Sequence, residues 1–197
     1  MRERPQIRID VLAVGYLVRD GREITEAHST SVLIRTDEVN IVVDTSTKYM
    51  LPAVKTSFKQ LGILPKDVNM AVLTHTHHDH CGNNDLFKKA EFYVREEECP
   101  GKKGYTSVSR DLEIASGIRL VHTPGHTEGS MSVLIDSDRK YAVAGDAIPL
   151  EDNFLKMMPP GISCDKEKAM KSIKSIIEYA DVIIPGHGLP FLKDGVL

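Results

Sequence analysis

The chain has 197 residues, of which 41% are hydrophobic and 27% charged, with a formal net charge of -3. That length suits a single domain spanning 1–197 with a core of ordinary size. The charge balance excludes a global attraction to nucleic acid or anionic membrane, so a polyanionic substrate would need a local basic patch.

In chain order, the N-terminal stretch starts with positive charges, but Arg8, Asp10 and Arg19 interrupt its apolar positions. Neither a signal peptide nor a membrane span is expected there. Strand-like runs follow at "IRIDVLAVGYLV", "SVLIRT" and "NIVVDTS", with Asp20-Gly21 as a turn between the first two. Leu51 to Gly62 predicts a helix: Pro52 sits near its start, Val54, Phe58 and Leu61 recur at helical spacing, and Gly62 stops it. The short apolar run "NMAVLT" then delivers the chain into "HTHHDH", which places that cluster on a loop at the C-terminal end of a strand.

Further strands are predicted at "EFYV", "GIRLVHT", "MSVLID" and "KYAVAGD", and "DVIIPGHG" again runs an apolar strand into a loop bearing glycine and histidine. The stretch from Pro100 to Arg110 is the most loop-like of the chain. Asp165 to Tyr179 reads as an amphipathic helix with a stripe of Ala169, Met170, Ile173, Ile176 and Ile177. Lys168, Lys171 and Lys174 on that helix read as a solvated face rather than a seat for an anionic partner. Cys81, Cys99 and Cys164 are odd in number and widely spaced, which argues against a disulfide framework and for a reducing, cytoplasmic setting.

The histidine cluster carries the chemistry. Four of the chain's eight histidines fall between His75 and His80, and the pattern H-x-H-x-D-H is expected by chance only about one time in a thousand for this composition. Imidazoles two residues apart on a tight loop can share one cation, while Asp79 and His80 turn toward a neighbouring point. Imidazole suits zinc, iron, copper or nickel, and a carboxylate adds a hard oxygen. One metal would use three or four of these groups, and two would need more. Further donors stand in loops of small residues: His126 in "HTPGHTEGS", Asp146 in "VAGDA" and His187 in "IIPGHG". Glycine beside a ligand lets the backbone turn sharply and come close.

The ordered set of Asp44 in "VVDTS", "THTHHDH", "TPGHTEGS", "AGD" and "PGHG" resembles the metallo-β-lactamase superfamily over nearly the whole chain. Within it, "STSVLI", "IVVDTS" and "CGNNDLF" are similar to a compact subgroup, the metallo-β-lactamase domain-containing protein 1 type. The resemblance implies an α/β fold, a four-layer αβ/βα sandwich of two mixed sheets flanked by helices. It also implies that His75, His77 and His126 hold one divalent metal ion, that Asp79, His80 and His187 hold a second, and that Asp146 bridges them. Asp44 would orient the histidine loop. Ser46 stands where the family commonly has glycine, in Asp-Thr-Gly.

Two adjacent dications lower the pKa of a shared water to about 7, so the expected reaction is hydrolysis of an ester, thioester, lactone or phosphodiester. Zinc is the first expectation from the histidine-rich set, with iron or manganese as alternatives. Asp79 is the candidate catalytic proton carrier. The subgroup implies endoribonuclease activity as one alternative, so the substrate is either a small molecule or RNA. A mono-iron sulfur dioxygenase uses a subset of the same ligands. The superfamily's diiron oxygen reductases place a glutamate where this chain has His77, and they carry a flavin domain that is not evident here. Glyoxalase II-like thioesterases share the histidine motif but add a C-terminal helical domain, for which the residues after His187 are too few. A non-catalytic metal-binding module is the remaining class, disfavoured because structural zinc sites are closed and rich in cysteine.

Other residues are read more plainly. His78 is expected to face solvent or lie behind the ligands, His122 to lie on the surface, His28 to lie on the surface or near the cleft, and Cys81 to be a small buried side chain. Phe154, Met157 and Met158 are read as core, substrate edge or an oligomer contact between copies of the chain.

Overall fold

The computed structural model describes residues 6–21, 23–98 and 104–195. The first sheet has the order β1 (Arg8–Ala13), β4 (Ser31–Arg35), β5 (Asn40–Val43), β6 (Met70–Val72), β7 (Glu91–Arg95) and β8 (Thr106–Val108). Its first two pairings are antiparallel and the three from β5 to β8 are parallel. The second sheet runs β14 (Phe191–Leu192), β13 (Val182–Pro185), β12 (Lys140–Gly145), β11 (Met131–Asp136), β10 (Ile118–His122) and β9 (Leu112–Ala115), with β12 and β13 as its parallel pair. A ribbon of β2 (Tyr16–Asp20) and β3 (Glu23–His28) stands apart from both.

Alternation along the strands sets the layers, because successive side chains on a strand point to opposite faces. Val32 and Ile34, Ile41 and Val43, and Val72 of the first sheet meet Val133, Ile135, Val143 and Ile184 of the second in one buried cluster. The intervening Leu33, Val42 and Ala71 face the other way, onto Val54 and Phe58 of α1 (Leu51–Leu61). On the far side, Leu134, Ala142, Ala144 and Ile183 pack on Ile173 and Ile176 of α4 (Lys166–Tyr179). The order helix, sheet, sheet, helix is the four-layer sandwich expected from the resemblance. α1 ends at Gly62 with φ of 68°, and α4 starts at Asp165, whose carboxylate accepts from the amides of Glu167 and Lys168 at 2.9 and 3.0 Å.

Several expectations need correction. The run "IRIDVLAVGYLV" is two strands, because the chain turns at Gly15, where a Cβ would lie only 2.4 Å from the Thr30 nitrogen. Asp20-Gly21 joins β2 to β3 rather than to "SVLIRT", and β3 escaped notice because "EITEAH" is mostly exposed and lacks an apolar pattern. The stretch 100–110 is not all loop, since Thr106–Val108 forms the edge strand β8; residues 99–103, Cys99 among them, lie outside the described residues. The histidine cluster is not wholly loop either, because His78–Cys81 forms one helical turn, α2. The short elements β9, β14 and α3 (Glu151–Leu155) were not anticipated. No described helix is long and apolar enough to cross a membrane.

Candidate metal centre

The strands deliver the donors. β6 ends at Val72, so the histidine cluster opens at the edge of the first sheet. Asp146 directly follows β12 and His187 lies two residues beyond β13, while His126 sits on the connection from β10 to β11. Such edges, at the ends of parallel strands, are where α/β sheets present ligand-binding loops.

Three imidazoles converge first. The Nε2 of His75 and the Nε2 of His126 each lie 3.0 Å from the Nδ1 of His77. The second group sets Asp79 Oδ2 3.6 Å from Nε2 of both His80 and His187. Asp146 stands between the groups, with Oδ2 3.3 Å from His126 Nε2 and Oδ1 3.2 Å from His187 Nε2 and 3.5 Å from His80 Nε2. All seven residues expected as ligands are therefore brought together, in groups whose donor atoms lie within 4.8 Å of one another.

The far side of each ring fixes which nitrogen is bare. A carbonyl can only accept, so His126 Nδ1 donates to Ile162 O at 2.8 Å and His187 Nδ1 donates to His28 O at 2.9 Å. His80 Nδ1 donates to Asp44 Oδ2 at 2.7 Å. The Thr74 hydroxyl donates to the same carboxylate at 2.8 Å, which leaves it to accept from His75 Nδ1 at 3.2 Å. Four rings thus donate from Nδ1 and turn Nε2 inward. Lone pairs facing lone pairs and carboxylates repel unless a proton or cation sits among them. His80 Nε2 and Asp146 Oδ1 are buried and take part in no hydrogen bond among the described residues, which is the signature of a missing partner. The donor set fits metal cations.

The electrostatics of the buried groups carry the same conflict. Burial, then the neighbouring His80, holds His75 well below the ordinary imidazole pKa, and burial with His126 lowers His77. Burial would also lower His80, but the charges of Asp44 and Asp146 more than offset it and hold the ring well above. Burial would raise Asp146, yet His80 and His187 keep it well below the ordinary carboxylate value.

Besides His80 Nδ1, the Asp44 carboxylate accepts from the Thr74 amide at 2.8 Å. The departure at Ser46 has a visible consequence. Asp44 and Ser46 have φ of 52° and 57°, a region that costs a side-chain-bearing residue about 1–2 kcal/mol. Ser46 Oγ donates to Ser29 O at 2.7 Å, which offsets part of that.

Other residues move from their expected places. His28 is buried rather than superficial, stacked 4.9 Å from the exposed Tyr49 ring, and its carbonyl holds His187. His122 is half-buried and donates to Glu128 O at 2.8 Å. Cys81 is half-buried with Sγ 3.3 Å from His77 O, so it braces the turn rather than joining the donors. His78 is exposed at the pocket edge. Phe154 packs 5.3 Å from Phe191, while Met157 and Met158 are exposed.

Sequence reasoning missed Thr74, whose only signal was its place between an apolar strand and His75. It also missed Glu98, whose carboxylate accepts from both the amide and the hydroxyl of Thr76 at 2.9 Å and from the Thr127 hydroxyl. Glu98 therefore ties the segment between His75 and His77 to the loop of His126. Nothing in "REEECP" marks it. The pocket above the donors, about 410 Å³, is walled on one side by Leu17, Arg19, Ile24 and Ala27 of the ribbon and on the other by Pro149, Pro160 and Ile162.

A four-layer sandwich with a histidine and aspartate cluster open at the edge between its sheets defines a class of metal-binding α/β proteins. A family model described as the metallo-beta-lactamase superfamily matches residues 24–98. The chain is 38% identical to a protein of Methanocaldococcus jannaschii named "probable metallo-hydrolase", over 92% of this chain and 87% of that one. It is 33% identical to metallo-beta-lactamase domain-containing protein 1 of Xenopus laevis, over 96% of this chain and 84% of that one. In structure it resembles a Thermotoga maritima protein described as a "putative metallo-beta-lactamase", with a TM-score of 0.77 at 21% identity, covering 95% of this chain and 99% of the other. The chain belongs to the metallo-β-lactamase superfamily.

Proposed function

We propose that this protein is a dinuclear metal-dependent hydrolase acting on a small ester, thioester, lactone or phosphodiester. The observation that carries the reading is the shared carboxylate: Asp146 turns one oxygen to His126 and the other to His80 and His187, so the two donor groups are built as neighbours. His75, His77 and His126 would hold one cation, Asp79, His80 and His187 the other, and Asp146 both. The imidazole-rich set favours zinc. When bound, two such cations supply Lewis acidity and acidify a shared water to a pKa of about 7.

The chain's own residues do the rest. Asp44 and Thr74 hold His80 and His75 with Nδ1 turned to the protein, so that Nε2 is the nitrogen presented to a cation. Asp79 lines the pocket as well as the donor cluster, which suits its carboxylate to take a proton from the attacking group. The apolar walls and volume of about 410 Å³ suit a small molecule, and the single arginine among the lining residues is poor provision for a polynucleotide.

The test is a panel of thioesters, lactones, carboxyl esters, phosphodiesters and RNA, given to protein whose metal content has been measured by mass spectrometry. Two metal equivalents per chain, with turnover of one small-molecule class that disappears in His77→Ala and Asp146→Ala, are the expected results. Folded, fully loaded protein that hydrolyses nothing would sink the reading. Oxygen uptake with a single iron per chain would replace it by the dioxygenase reading, and cleavage of RNA alone by the endoribonuclease reading.

A further inference from the structure

The ribbon offers the pocket a single arginine. β2 and β3 pair Leu17 with Ala27 and Val18 with Glu26, but the register then slips so that Arg19 faces Ile24 instead of Thr25. Directly opposed residues share a face of the ribbon. Alternation along β2 sets Arg19 on the face of Leu17, and the slip opposes it with Ile24 in place of Thr25; Leu17, Arg19, Ile24, Thr25 and Ala27 all line the pocket, and such bulges commonly re-aim side chains next to functional sites. Glu26 is no partner for it: its carboxylate lies 3.6 Å from His28 Nε2. Among the described residues no hydrogen bond or ion pair engages the guanidinium, although Asp20 and Glu23 are close in sequence. Across the pocket, the prolines and Ile162 supply apolar surface and no charge, and the acidic residues of the lining other than Glu26 belong to the donor cluster.

An apolar wall that carries one exposed guanidinium, on β2 and not on the loops of the donors, describes a ligand with an apolar middle and an oxyanion at the end away from the donors. Building on the hydrolase reading, we infer that the substrates are small esters, thioesters or lactones carrying a remote carboxylate or phosphate, and that Arg19 receives that group. Guanidinium matches either oxyanion as a fork of two parallel donors. Arg19 is a specificity residue here, acting on the group remote from the bond that breaks.

The probes are 4-nitrophenyl hydrogen adipate, which carries a terminal carboxylate on its acyl chain, and 4-nitrophenyl hexanoate, which has a methyl group in the same place. A third ester with a terminal phosphonate on an acyl chain of that length separates carboxylate from phosphate preference. For the zinc-loaded protein, kcat/KM is expected to favour an anionic ester over hexanoate by about tenfold, the size of one charged hydrogen bond. The ratio should fall toward one in Arg19→Ala, mainly through KM, and return in part in Arg19→Lys. Salt should erode it in the wild type and leave it unchanged in Arg19→Ala.

A ratio near one in the wild type, or the same ratio in Arg19→Ala, would overturn the inference. If no ester turns over, the substrate panel above decides the hydrolase reading, and calorimetry tests Arg19 independently of it. Adipate should then bind the zinc-loaded protein more tightly than hexanoate, and only while Arg19 is present. Equal binding of the two acids, or an adipate preference that survives in Arg19→Ala, would refute the assignment of Arg19 as an anion seat.

Discussion

Glu98→Ala is the sharpest test of how the first donor group is held. The carboxylate takes the amide and hydroxyl of Thr76, both at 2.9 Å, and the hydroxyl of Thr127. Thr76 lies between His75 and His77, and Thr127 follows His126. Removing the acceptor leaves Thr127 its contact with Ser130 at 2.7 Å, but it strands the Thr76 amide. A hydrogen bond to a charged group contributes about 1.5–3 kcal/mol. Were only that much orientation lost, the cation held by His75, His77 and His126 should bind about ten- to a hundredfold more weakly, the range usual when the partners behind ligands are removed. The cation held by Asp79, His80 and His187 should be little affected, because no donor of that group touches Glu98. Competition with a chromophoric chelator measures both affinities, and urea unfolding of the same samples separates a local effect from a global one. Two affinities equal to those of the wild type in a folded Glu98→Ala protein would refute the clamp. Equal weakening of both, with an unchanged urea midpoint, would refute its locality.

Gly186→Ala should displace the shared carboxylate, because a Cβ there would lie 2.2 Å from Asp146 Oδ1; a stability loss of about 1–3 kcal/mol and fewer than two bound metals per chain are expected, by urea unfolding and metal analysis. For the metal-free protein the opposite pKa shifts of His75 and His80 predict a stability maximum near pH 6.5, the ordinary imidazole value. His80 has a raised pKa, so its contribution is complete below 6.5 and lost as pH climbs through the raised value; His75 has a lowered pKa, so its neutral form contributes fully above 6.5 and stability falls as pH drops below it. Loading with zinc removes the His80 proton and should abolish the alkaline decline. Urea midpoints that rise steadily from pH 6 to pH 8 without metal would contradict a protonated, ion-paired His80.

How much of this was legible follows from where the signals are generated. Buried strands announce themselves, because both faces of β5, β6, β12 and β13 pack against something and their sequences read as apolar runs. Each of those runs ends in a donor or in Asp44, so the site could be read from strand ends without any geometry. The ribbon was only half legible: Tyr16, Leu17 and Val18 of β2 fell inside a strand-like run, but the largely polar residues of β3 carry no pattern distinguishable from a loop. Yet the ribbon builds one wall of the pocket. The parts of the sequence least able to declare their structure are therefore the ones that shape the substrate. The same holds for Glu98 and for the carbonyls of His28 and Ile162, since a backbone oxygen that orients a histidine leaves no trace in residue type.

The division of the donors between the two sheets bears on stability as well as chemistry. His75, His77, Asp79 and His80 come from the first sheet's edge, whereas His126, Asp146 and His187 come from the second. Each donor group mixes both: His126 completes the first, and His187 completes the second. A cation in either group is thus a cross-link between the sheets, and its binding energy adds to the apolar contacts of the inter-sheet core. Without metal, the like-facing lone pairs at this edge oppose the closure that Val43, Val72, Val143 and Ile184 favour from within. The edge that holds the donors should be the first part to open when metal is withdrawn, with Glu98 and Asp44 setting how far.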